Sequence, residues 1–77
     1  MEIEIISFGK IAEFMANRRL TVDGIETTAQ LKDLLEKEFP ALADIKYKLA
    51  VNKTIIQETA ELKSGDIVAF MPPFSGG

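Results

Sequence analysis

Along the first strand-like stretch, Ile3, Ile5 and Ser7 alternate with Glu2, Glu4, Ile6 and Phe8, and Gly9 interrupts the pattern. Alternation of this kind is the period of a β-strand. Beyond Gly9 the spacing changes. Ile11, Phe14 and Met15 recur at i, i+3 and i+4, which predicts a short helix closing near Asn17. Leu20 and Val22 predict a second short strand, turning at Asp23-Gly24. Thr27-Thr28-Ala29-Gln30 has the capping-box form, a Thr followed three residues later by Gln. Leu31, Leu34, Leu35 and Phe39 lie on one face of the main helix that this box starts, and Pro40 ends it. Lys48 to Asn52 and Thr54 to Gln57 predict two short strands around a tight turn at Asn52-Lys53. Leu62-Lys63-Ser64-Gly65-Asp66 then turns the chain into a last strand from Ile67 to Met71.

Strand, short helix, strand, main helix and three more strands predict an α+β domain. One sheet of about five strands is covered on one face by the main helix. The two end strands carry a second signal. If Ile3, Ile5, Val68 and Phe70 face the helix, then Ile6, Phe8, Ile67, Ala69 and Met71 face outward. A solvated face would be polar at those positions. An apolar one predicts a partner surface. The alternative is that the short helix covers part of it.

With 77 residues the chain makes one small domain, and with no Cys and no His it has neither disulfides nor a zinc site. Apolar packing must hold it together. The same absences remove the thiolate nucleophile and the commonest neutral-pH base, so the chain is not expected to be an enzyme by itself. A net charge of −3, with Arg18-Arg19 as the only basic doublet, argues against nucleic acid as a partner. No stretch approaches the ~18 apolar residues of a membrane span, and Glu2 and Glu4 contradict the basic start of a signal peptide. A cytoplasmic location is the expectation.

The domain should occupy residues 1–71, followed by a tail, residues 72–77, that reads Pro72-Pro73-Phe74-Ser75-Gly76-Gly77. No side chain after Asp66 is charged. Disordered tails are normally polar and charged, whereas this one is apolar, stiffened by two prolines and then stripped of side chains. It looks built for insertion, carboxylate first. Six residues in extended form reach up to roughly 20 Å, against a radius of gyration of about 11 Å for a domain of this size.

Three features together resemble the ubiquitin-like sulfur carriers of β-grasp fold, and in particular the MoaD family, the small subunits of molybdopterin synthase. They are the Leu62–Asp66 turn, the ending from Phe70 to Gly77, and the order of elements. Ile5-Ile6-Ser7-Phe8-Gly9-Lys10-Ile11-Ala12-Glu13 resembles that family's first strand and short helix, and Val51-Asn52-Lys53 resembles its central hairpin. The resemblance spans essentially the whole chain. It departs at Ala12, where the family often has a basic residue, and at Phe74, bulkier than the Val common there. Thiamin-pathway carriers share the Gly-Gly but typically lack the double proline, so Pro72-Pro73 favours the molybdopterin branch.

The resemblance implies one mixed sheet and a sulfur carrier with no stably bound cofactor. A ubiquitin-activating-like adenylyltransferase spends ATP to adenylate the Gly77 carboxylate, and a sulfurtransferase supplies sulfur to make a thiocarboxylate. The tail of Pro72, Pro73, Phe74, Ser75 and Gly76 then delivers Gly77 into the large subunit. There the sulfur builds the dithiolene of molybdopterin from a cyclic pyranopterin precursor, in an assembly of two small and two large subunits. The resemblance also implies that Ile55 joins Phe8 and Met71 in docking the large subunit. Three other readings remain open from the residues alone. They are a thiamin-type carrier, a ubiquitin-like protein modifier joined to lysines through Gly77, and a plain interaction module.

Overall fold

The computed structural model describes residues 1–72. Five strands, β1 (Glu2–Ser7), β2 (Arg18–Thr21), β3 (Lys48–Val51), β4 (Thr54–Ile56) and β5 (Ile67–Met71), form one sheet in the order β2-β1-β5-β3-β4. The first and last strands pair in parallel at its centre, and the remaining neighbours are antiparallel. The sheet is therefore mixed. Helix α1 (Thr28–Glu38) and the one-turn α2 (Pro40–Ala43) complete an architecture that is the ubiquitin-like β-grasp.

The alternation of the end strands becomes two faces. Ile3, Ile5, Val68, Phe70 and Leu49 are buried on the inner face, against Leu31 and Leu35 of α1 and Leu42 of α2. Burying one such side chain fully is worth about 1.5–3 kcal/mol, which lets a chain without cross-links hold a single core. Four further buried side chains, Ile11, Met15, Val22 and Leu62, close its ends.

Thr27 caps α1 as the pattern predicts. Its hydroxyl accepts from the Gln30 N–H at 3.3 Å, and the Gln30 side chain accepts from the Thr27 N–H at 3.2 Å. Leu34 is a correction, because it is exposed rather than part of the buried stripe. The stripe runs through Thr28, Leu31 and Leu35, and Leu34 lies about 100° round the helix from Leu35, beyond its edge. Pro40 stops α1 as predicted but also begins α2, where a missing N–H costs nothing.

The short helix after β1 is a 3-10 turn over Gly9–Glu13, shorter than the spacing implied. Phe14 and Met15 both hydrogen-bond back to the Ile11 carbonyl, and the chain then leaves the helix. Asn17 explains the early stop: its side-chain oxygen accepts from the Ser7 N–H at 2.7 Å, drawing the chain back to start β2 at Arg18. Because Ile11 and Met15 point into the core, this segment packs with the helical layer.

Two turns match their residues closely. Asn52 and Lys53 both take positive φ, 51° and 72°, and form the tight two-residue hairpin loop between β3 and β4. Asn52 also accepts from the Ile67 N–H at 3.0 Å and donates to Asp66 at 2.9 Å, tying the hairpin to the start of β5. In the Leu62–Asp66 turn, the Asp66 carboxylate accepts from the Lys63 N–H at 2.8 Å while Gly65 takes a φ of 93°. The Gly65 N–H donates to the Glu2 carbonyl at 2.6 Å, which aligns β5 beside β1.

Tyr47 supplies a pH prediction. Its ring packs on Phe70 with centroids 5.5 Å apart, and its hydroxyl donates to Glu36. Burial, then the Glu36 hydrogen bond and the nearby Glu36 and Asp33 charges, raise the phenol well above its ordinary value of 10.0. The raised group favours the fold fully below the unfolded pKa and loses that contribution as pH rises beyond it. Stability should therefore fall above pH ~10, and Tyr47→Phe should flatten that part of a denaturation-midpoint profile against pH.

Candidate partner-docking face

Strand pairing fixes which side chains share the outer face. Ile6 lies beside Ala69, Ala69 beside Ala50, and Ala50 beside Ile55, giving an apolar row across four strands. One row towards the start of β5, Glu4 lies beside Ile67. One row towards its end, Met71 lies beside Lys48, and continuation of the β1–β5 register brings Phe8 to Met71's other side. The Phe8 N–H donates to the Phe70 carbonyl at 3.0 Å, which holds this end of β1 against β5.

Exposure separates this face from the core. Phe8 is 49% exposed, Ile55 46% and Ile67 37%, values that belong to a surface although the side chains are large and apolar. Ala50 is buried at the middle of the row yet takes no part in the core cluster. The central strands thus present small residues, with larger ones to either side. Between them lies a shallow groove of about 350 Å³, lined by Ile6, Phe8, Ile67, Ala69, Asn52 and Lys53. The short helix does not cover this face, since its buried side chains belong to the core on the other side.

The three side chains expected to dock a partner are arranged less compactly than one patch. Phe8 lines the groove, and Met71 flanks Phe8 on the neighbouring strand. Ile55 stands on the edge strand β4, outside the groove. It lines a separate cleft of about 460 Å³ between α1 and the β3–β4 edge, with Ala29, Lys32 and Tyr47 among its neighbours. Sequence spacing missed Asn52 and Lys53 as groove residues. Their signal was present, because a two-residue turn after Val51 sets which hairpin positions face outward.

Charges frame the apolar rows. Glu4 and Arg19 approach to 3.9 Å on the outer face beside β2, an exposed pair of small energetic weight. Arg18, on the inner side of the same strand, pairs with Glu38 at 2.6 Å and lies over the Phe39 ring. The basic doublet is thus spent on the strand start and the end of α1. Among the described residues no group of His, Cys, Asp and Glu could hold a metal ion, and no helix is long and apolar enough to cross a membrane.

β5 ends at Met71, and Pro72 comes next as an exposed residue in contact distance of Gly9. The expected insertion residues Pro73, Phe74, Ser75, Gly76 and Gly77 lie outside the described residues. The apolar face and the root of the tail are therefore adjacent, at the Phe8–Met71 end of the sheet.

Comparison with known proteins agrees with this geometry. Residues 5–77 match the ThiS family model, a match that runs through the terminal Gly-Gly. The crystal structure of SAMP1 from Haloferax volcanii superposes with a TM-score of 0.78 at 26% identity, covering 100% of both chains. A chain from the complex of subunits 1 and 2 of molybdopterin-converting factor from Helicobacter pylori 26695 gives 0.75 at 24% identity, again over 100% of both. The latter likeness speaks for the fold. With its β-grasp sheet, apolar outer face and family match over nearly its full length, the chain belongs to the ThiS family of ubiquitin-like sulfur carriers.

Proposed function

We propose that this carrier serves molybdopterin synthesis, as the sulfur-donating small subunit of a sulfurtransferase complex whose reaction centre lies on the large subunit. The observation that carries the reading is the adjacency of an uncovered apolar face to a tail root that begins Pro72-Pro73. A partner that grips Phe8 and Met71 is positioned to receive the residues beyond Met71. The prolines restrict φ and reduce the entropy lost on insertion. Gly76 and Gly77 carry no Cβ, which allows a narrow passage and leaves the reacting carbonyl uncrowded.

The terminus dictates the chemistry. An α-carboxyl has a pKa of about 3.3–3.7, so at neutral pH it is a carboxylate and a poor electrophile. A carboxylate oxygen of Gly77 attacks the α-phosphorus of ATP on the activating enzyme, and pyrophosphate leaves. Sulfur from a sulfurtransferase persulfide attacks the acyl carbon and AMP leaves. A thiol then reduces the acyl disulfide so formed, itself becoming a disulfide, and the terminus is left as a thiocarboxylate. In the large subunit that sulfur attacks an oxygen-bearing carbon of the pyranopterin precursor, the C–O bond breaks and the oxygen group leaves, and a second carrier supplies the second dithiolene sulfur in the same way. Hydrolysis of the resulting thioester leaves sulfur on the product and restores the Gly77 carboxylate. In this reading ATP is spent by the activating enzyme, and the carrier holds no stably bound cofactor of its own.

The second reading is a thiamin-type carrier, favoured by the identity of the matching family model. Reconstitution separates the two. The thiocarboxylated chain, mixed with a molybdopterin synthase large subunit and cyclic pyranopterin precursor, should form the dithiolene in amounts that track the carrier added. Sulfur transfer only into a thiazole-forming enzyme would replace the molybdopterin reading with the thiamin one.

A further inference from the structure

Gly9 has two properties that its place in the turn does not by itself demand together. Its φ is +60°, in the left-handed region, and the Pro72 ring lies on the side where any other residue would carry its Cβ. A Cβ built there would stand 3.0 Å from Pro72 Cγ and 3.4 Å from Cδ, closer than side-chain contacts normally come. The site is held from both sides. The Phe8 N–H binds the Phe70 carbonyl at 3.0 Å, and the Phe8 carbonyl accepts from the Ile11 N–H at 3.2 Å. Glycine is thus favoured by conformation, and a Cβ there would force the Pro72 ring to shift by a few tenths of an ångström.

We propose that Gly9 is a positioning residue for the C-terminal tail: its bare α-carbon seats the Pro72 ring and so sets the heading with which the chain leaves β5. The inference rests on the carrier reading for its consequence, since a tail that must reach an activating site on another protein gains from a fixed starting direction. The nearest freely rotating bonds would otherwise lie directly after Met71. Pro72 contributes a locked φ, and the seat locks the ring against the body of the sheet. Together they turn the end of the domain into a rigid root, from which only the later residues need adjust. Errors of ~1 Å in reactant placement can cost on the order of a hundredfold in rate. Gly9 touches no reacting atom and acts only through Pro72.

The seat can be broken from either side. Gly9→Ala adds the obstructing methyl, and Pro72→Ala removes the ring it obstructs. Residual dipolar couplings of the Phe74–Gly77 amides report the tail's heading without any enzyme. They should change in both single variants, while couplings in the sheet stay as in the wild type. In ATP-dependent pyrophosphate exchange with the cognate activating enzyme, kcat should fall about tenfold in each single variant, with KM within about twofold. The double variant should lose less than the product of the two single losses, because the methyl then has no ring to displace and only the strain of an Ala at a φ of +60° remains. Wild-type couplings in both single variants, or losses that multiply in the double variant, would overturn the seat. If Gly9→Ala does not fold, Pro72→Ala decides the question by the same couplings and the same kcat. An inactive wild-type chain would overturn the carrier reading instead, and the couplings would still decide whether the seat exists.

Discussion

Deleting Gly77, or adding one residue beyond it, should reduce activation and sulfur loading to background while leaving the melting temperature unchanged. The second half of that expectation comes from the core. The buried side chains extend from Ile3 to Phe70, and β5 is complete at Met71. Nothing in the described packing depends on the terminal glycine. The first half comes from chemistry. Activation needs a carboxylate at a fixed distance from the docking face, and deletion shortens the reach by about 3.5 Å. An added residue moves the carboxylate outward by the same distance and gives it a side chain with a Cβ. Pyrophosphate exchange and thermal melts on the same three chains check both halves. Full activity in an extended chain would remove the basis for the carrier mechanism.

Phe8→Ala should weaken binding to the large subunit by about thirtyfold, the equivalent of ~2 kcal/mol for loss of an aromatic anchor. The ring is half exposed, lines the outer groove, and is absent from the core cluster. Its truncation leaves no core cavity, so the melting temperature should move little. A core ring gives the opposite result, and Phe70→Ala is the control, since Phe70 is fully buried. Ile55→Ala should cost less binding than Phe8→Ala, because Ile55 stands on the edge strand outside the groove. Calorimetric titration and melts on the three variants distinguish these effects. Equal binding by Phe8→Ala and the wild type would move the docking surface elsewhere on the domain.

Sequence patterns revealed β1, β2 and β5 because each alternates with a two-residue period, whereas β3 and β4, which do not alternate strictly, were marked by the turn residues around them. Asn52-Lys53 and the Leu62–Asp66 turn were legible because they use residues with defined backbone needs. The capping box was legible too, since both of its hydrogen bonds are local. Features set by long-range contacts were not. The early end of the first helix depends on Asn17 reaching Ser7, ten residues away. The i, i+3 spacing groups Leu34 with Leu31, and only the packing shows that the buried stripe is centred on Thr28, Leu31 and Leu35 and leaves Leu34 outside it. The outer face was visible as apolar residues at outward positions, yet spacing could not say that Phe8 and Ile55 would line different concavities. The contact between Gly9 and Pro72, 63 positions apart, had no local signal at all. Gly9 was legible only as an interruption.

If Gly77 carries sulfur, the mass of the chain must change when the sulfur is loaded. Incubated with its activating enzyme, ATP and a sulfur source, the chain should gain about 16 Da as one oxygen of the terminal carboxyl is replaced by sulfur. Fragmentation should place the gain on Gly77. A chain that keeps its mass under these conditions, or is recovered joined through Gly77 to lysines of other proteins without ever bearing sulfur, would contradict the account.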